Sequence, residues 1–260
     1  MRIEVARARA RERFAEVAAE ERVALDRGAL WIAAEERPTP WPHRALDELQ
    51  RLADGVGMPS APSSYEAVAR LNLHLFEELG LHGAQSDYDA PRNSCLDQVL
   101  QRRRGLPILL SVVYIEVARR CGVKVDGVSF PGHFLVSPEH GGDRFYVDPF
   151  DQGRILRRPH LESWLRGRRV DYTPAQLDRW LSPADNRQIL ARVCRNLKHA
   201  WLRRGDLEGA LRSSERILLL YPGLASEQRD RAVLLARLGR QSHAEQALAA
   251  WTAGGPTGEC

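Results

Sequence analysis

The sequence predicts an α+β protein, mostly helical, with one small antiparallel sheet. Three observations lead there. Apolar residues recur at helical spacing from about Arg2 to Leu79. Between Val123 and Asp148 the period changes to strand-like alternation. In the last third, matching residues return at a fixed interval, which marks a repeat. At 260 residues, 43% of them hydrophobic and 28% charged, the chain can bury one large core or two modest ones.

Ala, Glu, Arg and Leu dominate from about Arg2 to Ala34, with Phe14, Val17, Ala18, Val23 and Leu30 at helical spacing. The proline-rich stretch Arg37 to Pro42 ends this helix, Ala45 to Leu52 restarts it, and Gly55 to Ser64 forms a loop. Ser63 or Ser64 can cap the helix Tyr65 to Leu79, because a hydroxyl accepts a hydrogen bond from an otherwise unpaired first-turn amide. Its apolar stripe is Val68, Leu71, Leu75 and Leu79. The first third is therefore a helical layer.

After the turn-rich stretch Gly80 to Pro91, Asn93 or Ser94 is placed to cap a short helix reaching Arg103 or Arg104. Pro107 suits the first turn of the next helix, where its missing amide hydrogen would have no partner anyway. That helix runs to Cys121 and turns Ile108, Val112 and Ile115 toward a core. Three strands follow, over Val123 to Val128, Phe134 to Ser137 and Arg144 to Asp148. His140-Gly141-Gly142 supplies the turn between the last two. A tight hairpin there would pair Phe134 with Val147 and Val136 with Phe145 on one side. On the other it would pair Ser137 with Arg144, Leu135 with Tyr146, and His133 with Asp148. The imidazole and the carboxylate become neighbours, and a one-residue slip would part them.

In the tail, Gly205 and Gly239, Ala210 and Ala244, and Pro222 and Pro256 share one spacing, that of tetratricopeptide helix pairs. Trp201 and Ile217 take large packing positions in the first copy, and Leu235, Ala244 and Trp251 remain in the second. The second copy degenerates at its end, as terminal repeats do.

Composition excludes several classes. The longest nearly apolar run, Leu106 to Ile115, is half of what a bilayer requires, so no membrane role is expected. The start of the chain shows no apolar export segment, which makes a cytoplasmic location the expectation. Cys95, Cys121, Cys194 and Cys260 lack any paired spacing and read as isolated reduced thiols. The net charge of +4 comes from scattered arginines, clustered at Arg102 to Arg104, Arg157-Arg158 and Arg166 to Arg169. Without a nucleic-acid motif these read as solvated surface; binding of a polyanion would show as affinity falling steeply with salt.

Residues Gly105 to Pro149 resemble the transglutaminase-like, papain-like core, in which a Cys opens a buried helix, a His begins a later strand and an Asp ends the next. Gly122-Val123-Lys124, Val125 to Val128, Gly132-His133-Phe134 and Tyr146-Val147-Asp148-Pro149 follow that order. The position of the nucleophile holds Pro107. More specifically, the chain resembles the bacterial invasion-regulator B family, which joins such a core to tetratricopeptide-like helices. Tyr88 to Ser94, Arg104 to Ile108, Tyr114 to Arg120, Pro131 to Val136 and Val147 to Phe150 carry this likeness. It implies a fold and a regulatory role rather than a reaction. The expected layout is a helical layer (1–85), the core (86–180) and the repeats (181–260).

In a Cys-His-Asp triad the Asp orients the imidazole, the imidazole activates the thiol, and the thiolate attacks an acyl group. A proline ring has no atom able to do this. The leading expectation is thus a regulatory protein that needs no cofactor or metal, with a residual His133 and Asp148 pair and a cleft lined by Asn93, Ser94, Cys95, Pro107 and Ser111. A protein or peptide is its expected partner. The rival is a hydrolase or acyl transferase that uses the pair with Cys95 or Ser111 as nucleophile. Cys95, near a helix start, is otherwise a small core residue, and Ser111 a core serine bonded to a carbonyl. A metal held by His133, Asp148 and His140 lacks supporting ligand spacing.

Overall fold

A computed structural model describes residues 2–39, 42–139 and 144–253. They form two compact units, one of residues 1–42, 89–91 and 186–260, the other of residues 43–88 and 92–185.

The first unit opens with α1 (Arg2–Ala19) and α2 (Leu25–Glu36). The sequence reads as one helix here, but the chain breaks after Ala19. The carbonyls freed by the break are met by side chains: Arg187 Nη2 donates to Glu20 O at 3.2 Å and Asn186 Nδ2 to Val23 O at 2.8 Å.

The second unit holds α3 (Arg44–Gly55) and α4 (Ser64–Asn72), which winds on into a π-turn at Leu73–Glu78. Ser63 caps α4 through a reciprocal capping box with Glu66. The two-residue strands β1 (His82–Gly83) and β2 (Arg104–Gly105) pair in parallel around α5 (Leu96–Arg102). Cys95, rather than Asn93 or Ser94, occupies the cap position of α5, and its thiol does not cap the first-turn amides. Pro91–Ser94 forms a 3-10 turn that takes up Asn93 and Ser94 ahead of that position. Pro107 then opens α6 (Pro107–Arg120), whose residues are buried from Pro107 through Ala118, making it the central helix of the unit.

A separate, larger sheet begins with β3 (Val125–Val128), β4 (Leu135–Pro138), β5 (Tyr146–Asp148) and β6 (Arg154–Leu156). Then come α7 (Arg158–Gly167), α8 (Pro174–Trp180) and β7 (Pro183–Ala184). The sheet has five antiparallel strands in the order β6-β5-β4-β3-β7. The expected hairpin register is corrected by two residues, since Val136 pairs with Val147 and not Phe145. A two-residue slip returns every side chain to its face, so Leu135, Ser137, Tyr146 and Asp148 still share one side. There Leu135 and Tyr146 pack with Leu161, Leu165 and Leu177. The anticipated turn His140-Gly141-Gly142 lies outside the described residues.

The first unit resumes with α9 (Asn186–Arg203), α10 (Leu207–Leu220), α11 (Ala225–Arg237) and α12 (Gln241–Ala253). Gly205 and Gly239 turn the chain between partners of each pair with φ of 71° and 73°. Ala210 and Ala244 are buried contact residues, as the spacing implies. Residues 1–42 belong with these helices rather than with residues 43–85, and the reason is a buried charge cluster. The Arg216 guanidinium, fully buried, donates to Glu35 at 3.0 Å, to Glu36 and to Ser213 Oγ at 3.0 Å. Arg11 also reaches Glu35, at 2.6 Å, and Trp201 Nε1 reaches Glu36 at 3.0 Å.

Candidate functional site

His133 follows Gly132, whose φ of 68° bends the chain into the sheet, and its own amide donates to Phe130 O at 3.1 Å. Asp148 ends β5 and caps the following 3-10 turn. Its Oδ1 accepts the amides of Phe150 at 3.0 Å and Asp151 at 3.3 Å, which leaves Oδ2 to meet His133 Nε2 at 2.8 Å. Both side chains are buried. The carboxylate is therefore fixed by its own backbone before it orients the ring. With Nε2 bonded to Asp148, a neutral imidazole carries its proton there and its basic lone pair on Nδ1.

Aromatic rings enclose the pair. Phe150 meets the imidazole edge-on with centroids 5.9 Å apart, and Trp164 lies 4.8 Å away at 40°. The Arg168 guanidinium sits 3.9 Å from the Trp164 ring centre, within cation–π range. A Cβ at Gly83 would fall 2.6 Å from the Phe150 ring, so only glycine lets that ring settle against the strand. A cavity of about 370 Å³ opens beside Asp148, lined also by Leu156, His160, Leu161, Trp164 and Arg168.

The other expected residues take different places. Asn93, fully buried, donates to Asp87 O at 2.6 Å and accepts from Arg102 at 2.5 Å, so it pins the loop ahead of α5. Its carbonyl accepts the amide of Leu106, which ties this loop to the start of α6 at Pro107. Ser94 and Ser111 are buried, and neither hydroxyl has a hydrogen-bond partner among the described residues. The carbonyl bond expected of Ser111 is thus absent there, as is a bond from either hydroxyl to the imidazole. Cys95 is buried. Cys121 donates its thiol to Ala53 O at 3.5 Å, and burial, then Asp54, push that thiol up. Among the described residues there is no group of three metal-ligating side chains. His140 lies outside them.

Trp164 and Arg168 were not anticipated as site residues. Their four-residue spacing, Trp164 inside α7 and Arg168 capping its end, was the available signal, hidden by the arginine run that reads as solvated surface.

A small sheet that presents His and then Asp from neighbouring segments beside a buried helix, with helix pairs following, defines a transglutaminase-like protein with a tetratricopeptide tail. Residues 43–195 match the transglutaminase-like superfamily, and residues 197–259 match the tetratricopeptide repeat. The chain belongs to that superfamily and, within it, to the invasion-regulator B family. It is 41% identical over 183 residues to a UPF0162 protein of Xylella fastidiosa strain 9a5c, covering 70% of this chain and 65% of that one. To a UPF0162 protein of Pseudomonas aeruginosa it is 34% identical over 226 residues, 85% of this chain and 80% of the other. To Protein SirB1 of Salmonella typhimurium it is 27% identical over 202 residues, 77% and 74% of the two. The chain spans slightly less than two thirds of the Xylella relatives, 65% of one and 64% of another. No solved structure matches it. Among the described residues no helix is long and apolar enough to cross a membrane.

Proposed function

We propose that this chain is a cytoplasmic regulatory protein that binds a protein or peptide partner and has lost the covalent step of its superfamily, Pro107 standing where the nucleophilic Cys would be. The observation that carries this is the intact His133 and Asp148 pair in a fold whose matching helix opens with a proline. An imidazole held by a carboxylate can still bind and polarise a ligand, but without a nucleophile no acyl intermediate forms. The unbonded hydroxyls of Ser94 and Ser111 weigh against a serine replacement. The cavity beside Asp148 is the natural seat for a peptide side chain. The helix pairs α9 to α12, with Val233 and Leu248 exposed, offer a protein-binding surface. The isolated thiols Cys95, Cys121 and Cys194 suit a reducing compartment.

Treatment of the protein with a thiol-reactive acyl probe tests this reading. Wild type and His133→Ala are expected to label alike. Labelling that is lost in both Cys95→Ala and His133→Ala would establish an enzyme instead.

A further inference from the structure

A second cavity, of about 650 Å³, lies in the same unit and shares no lining residue with the one beside Asp148. It is lined by Arg144, Tyr146, Arg157, Arg158, Asp178 and Leu181, with Pro159. Three guanidinium groups thus share one opening with a single carboxylate.

What holds each arginine decides how much charge is left over. Arg158 is compensated: its Nη1 donates to Asp178 at 2.7 Å and its Nε to Glu162 at 3.1 Å. Arg144 and Arg157 are held by neutral acceptors instead. Arg144 Nη1 donates to the carbonyl of Leu181 at 3.2 Å, and Arg157 Nη2 to the phenol of Tyr65 at 3.0 Å. The Tyr65 ring is itself fixed, stacked on Phe145 at 4.5 Å and 7°. Among the described residues neither Arg144 nor Arg157 pairs with a carboxylate. Each guanidinium has five N–H donors in a rigid fork, so most of them remain for a ligand.

We propose that this cavity binds a phosphate monoester, with Arg144 and Arg157 gripping its terminal oxygens. Two uncompensated positive charges match the charge of about −1.5 to −2 on such a group near neutral pH. A carboxylate would neutralise only one of them. The fork geometry of two arginines suits three terminal oxygens better than two. Burial, the largest influence on Tyr146, pushes its phenol up and keeps it protonated beside Arg144, a further donor at the cavity wall. A volume in the range of small-molecule pockets leaves room for the carrier of the phosphate.

Calorimetric titration of the full chain with inorganic phosphate at about pH 7.5, where phosphate is largely dianionic, tests the site. Phosphate is expected to bind and acetate to bind much more weakly. Arg144→Gln and Arg157→Gln should each weaken phosphate about tenfold, the effect of one lost charge-assisted hydrogen bond. Arg204→Gln removes an exposed charge elsewhere and should change nothing. Phosphoserine and adenosine monophosphate serve as carrier probes, and tighter binding of one than of phosphate supports the site and identifies its source. Absence of phosphate binding to the wild type, equal binding of acetate, or full binding by both glutamine variants would overturn the proposal. Should either glutamine variant fail to fold, the matching lysine variant keeps the charge, loses the fork and is expected to bind more weakly than wild type.

Discussion

Asp148 does three things with one carboxylate: it accepts two backbone amides through Oδ1 and orients His133 through Oδ2. Asp148→Ala would strand all three partners, the imidazole in a buried place and the two amides in partly buried ones. Each unpaired buried group costs about 1–3 kcal/mol, so urea unfolding should show a larger loss for Asp148→Ala than for His133→Ala, which strands only one oxygen. Equal losses would mean that the cap is not formed. Burial also governs Cys194, whose thiol is pushed up to about 12. Its thiolate is then nearly absent at about pH 8, and a thiol reagent is expected to modify it only once the protein unfolds. At this scale the His and Asp were legible because both sit at turn-bounded strand ends, where sequence spacing fixes position. Trp164 and Arg168 were not, because the contact of Trp164 with His133, and of Arg168 with Trp164, depends on how α7 folds back over the sheet, and local pattern does not encode that return.

The helix pairs of the tail were legible from their repeat, since each glycine and alanine answers a local steric demand. Gly209 shows how tight that demand is: a Cβ there would sit 2.6 Å from the Trp201 ring. Gly209→Ala is expected to lower stability by about 1–3 kcal/mol through overpacking, measured by denaturant midpoint, despite the better helix propensity of alanine. A gain in stability would show that the indole moves aside freely. The register of the β4–β5 hairpin was legible only to within its face. Alternation of side chains fixes parity, whereas the exact pairing depends on the loop, so Val136 pairs with Val147 two residues from where a tight turn would place it. Strand β6 escaped notice because three residues, Arg154 to Leu156, carry too little alternation to register. The break after Ala19 was invisible for another reason, as the side chains of Asn186 and Arg187 that stabilise it come from far along the chain.

Arg216 joins two segments of the first unit that are 180 and 181 positions apart, and it does so without solvent. Arg216→Ala would leave buried Glu35 with Arg11, and buried Glu36 with the more distant Arg212 and the Trp201 indole, and a cost of about 3–5 kcal/mol is expected in equilibrium unfolding. For the same reason a fragment of residues 186–253 should be largely unfolded by circular dichroism and quickly proteolysed, although it contains both helix pairs; a stably folded fragment would show that residues 2–42 are dispensable. In the transglutaminase-like unit His133 and Asp148 are paired, and the proposed loss of the attacking atom at Pro107 can be reversed. Pro107→Cys tests that proposal most directly, by ultraviolet titration of the new thiolate against the wild-type background. The thiolate is expected to form well below the ordinary thiol value of about 8.5, and to lose that advantage in the Pro107→Cys, His133→Ala double variant. A thiol that titrates at or above the ordinary value, alike with and without His133, would contradict the proposal.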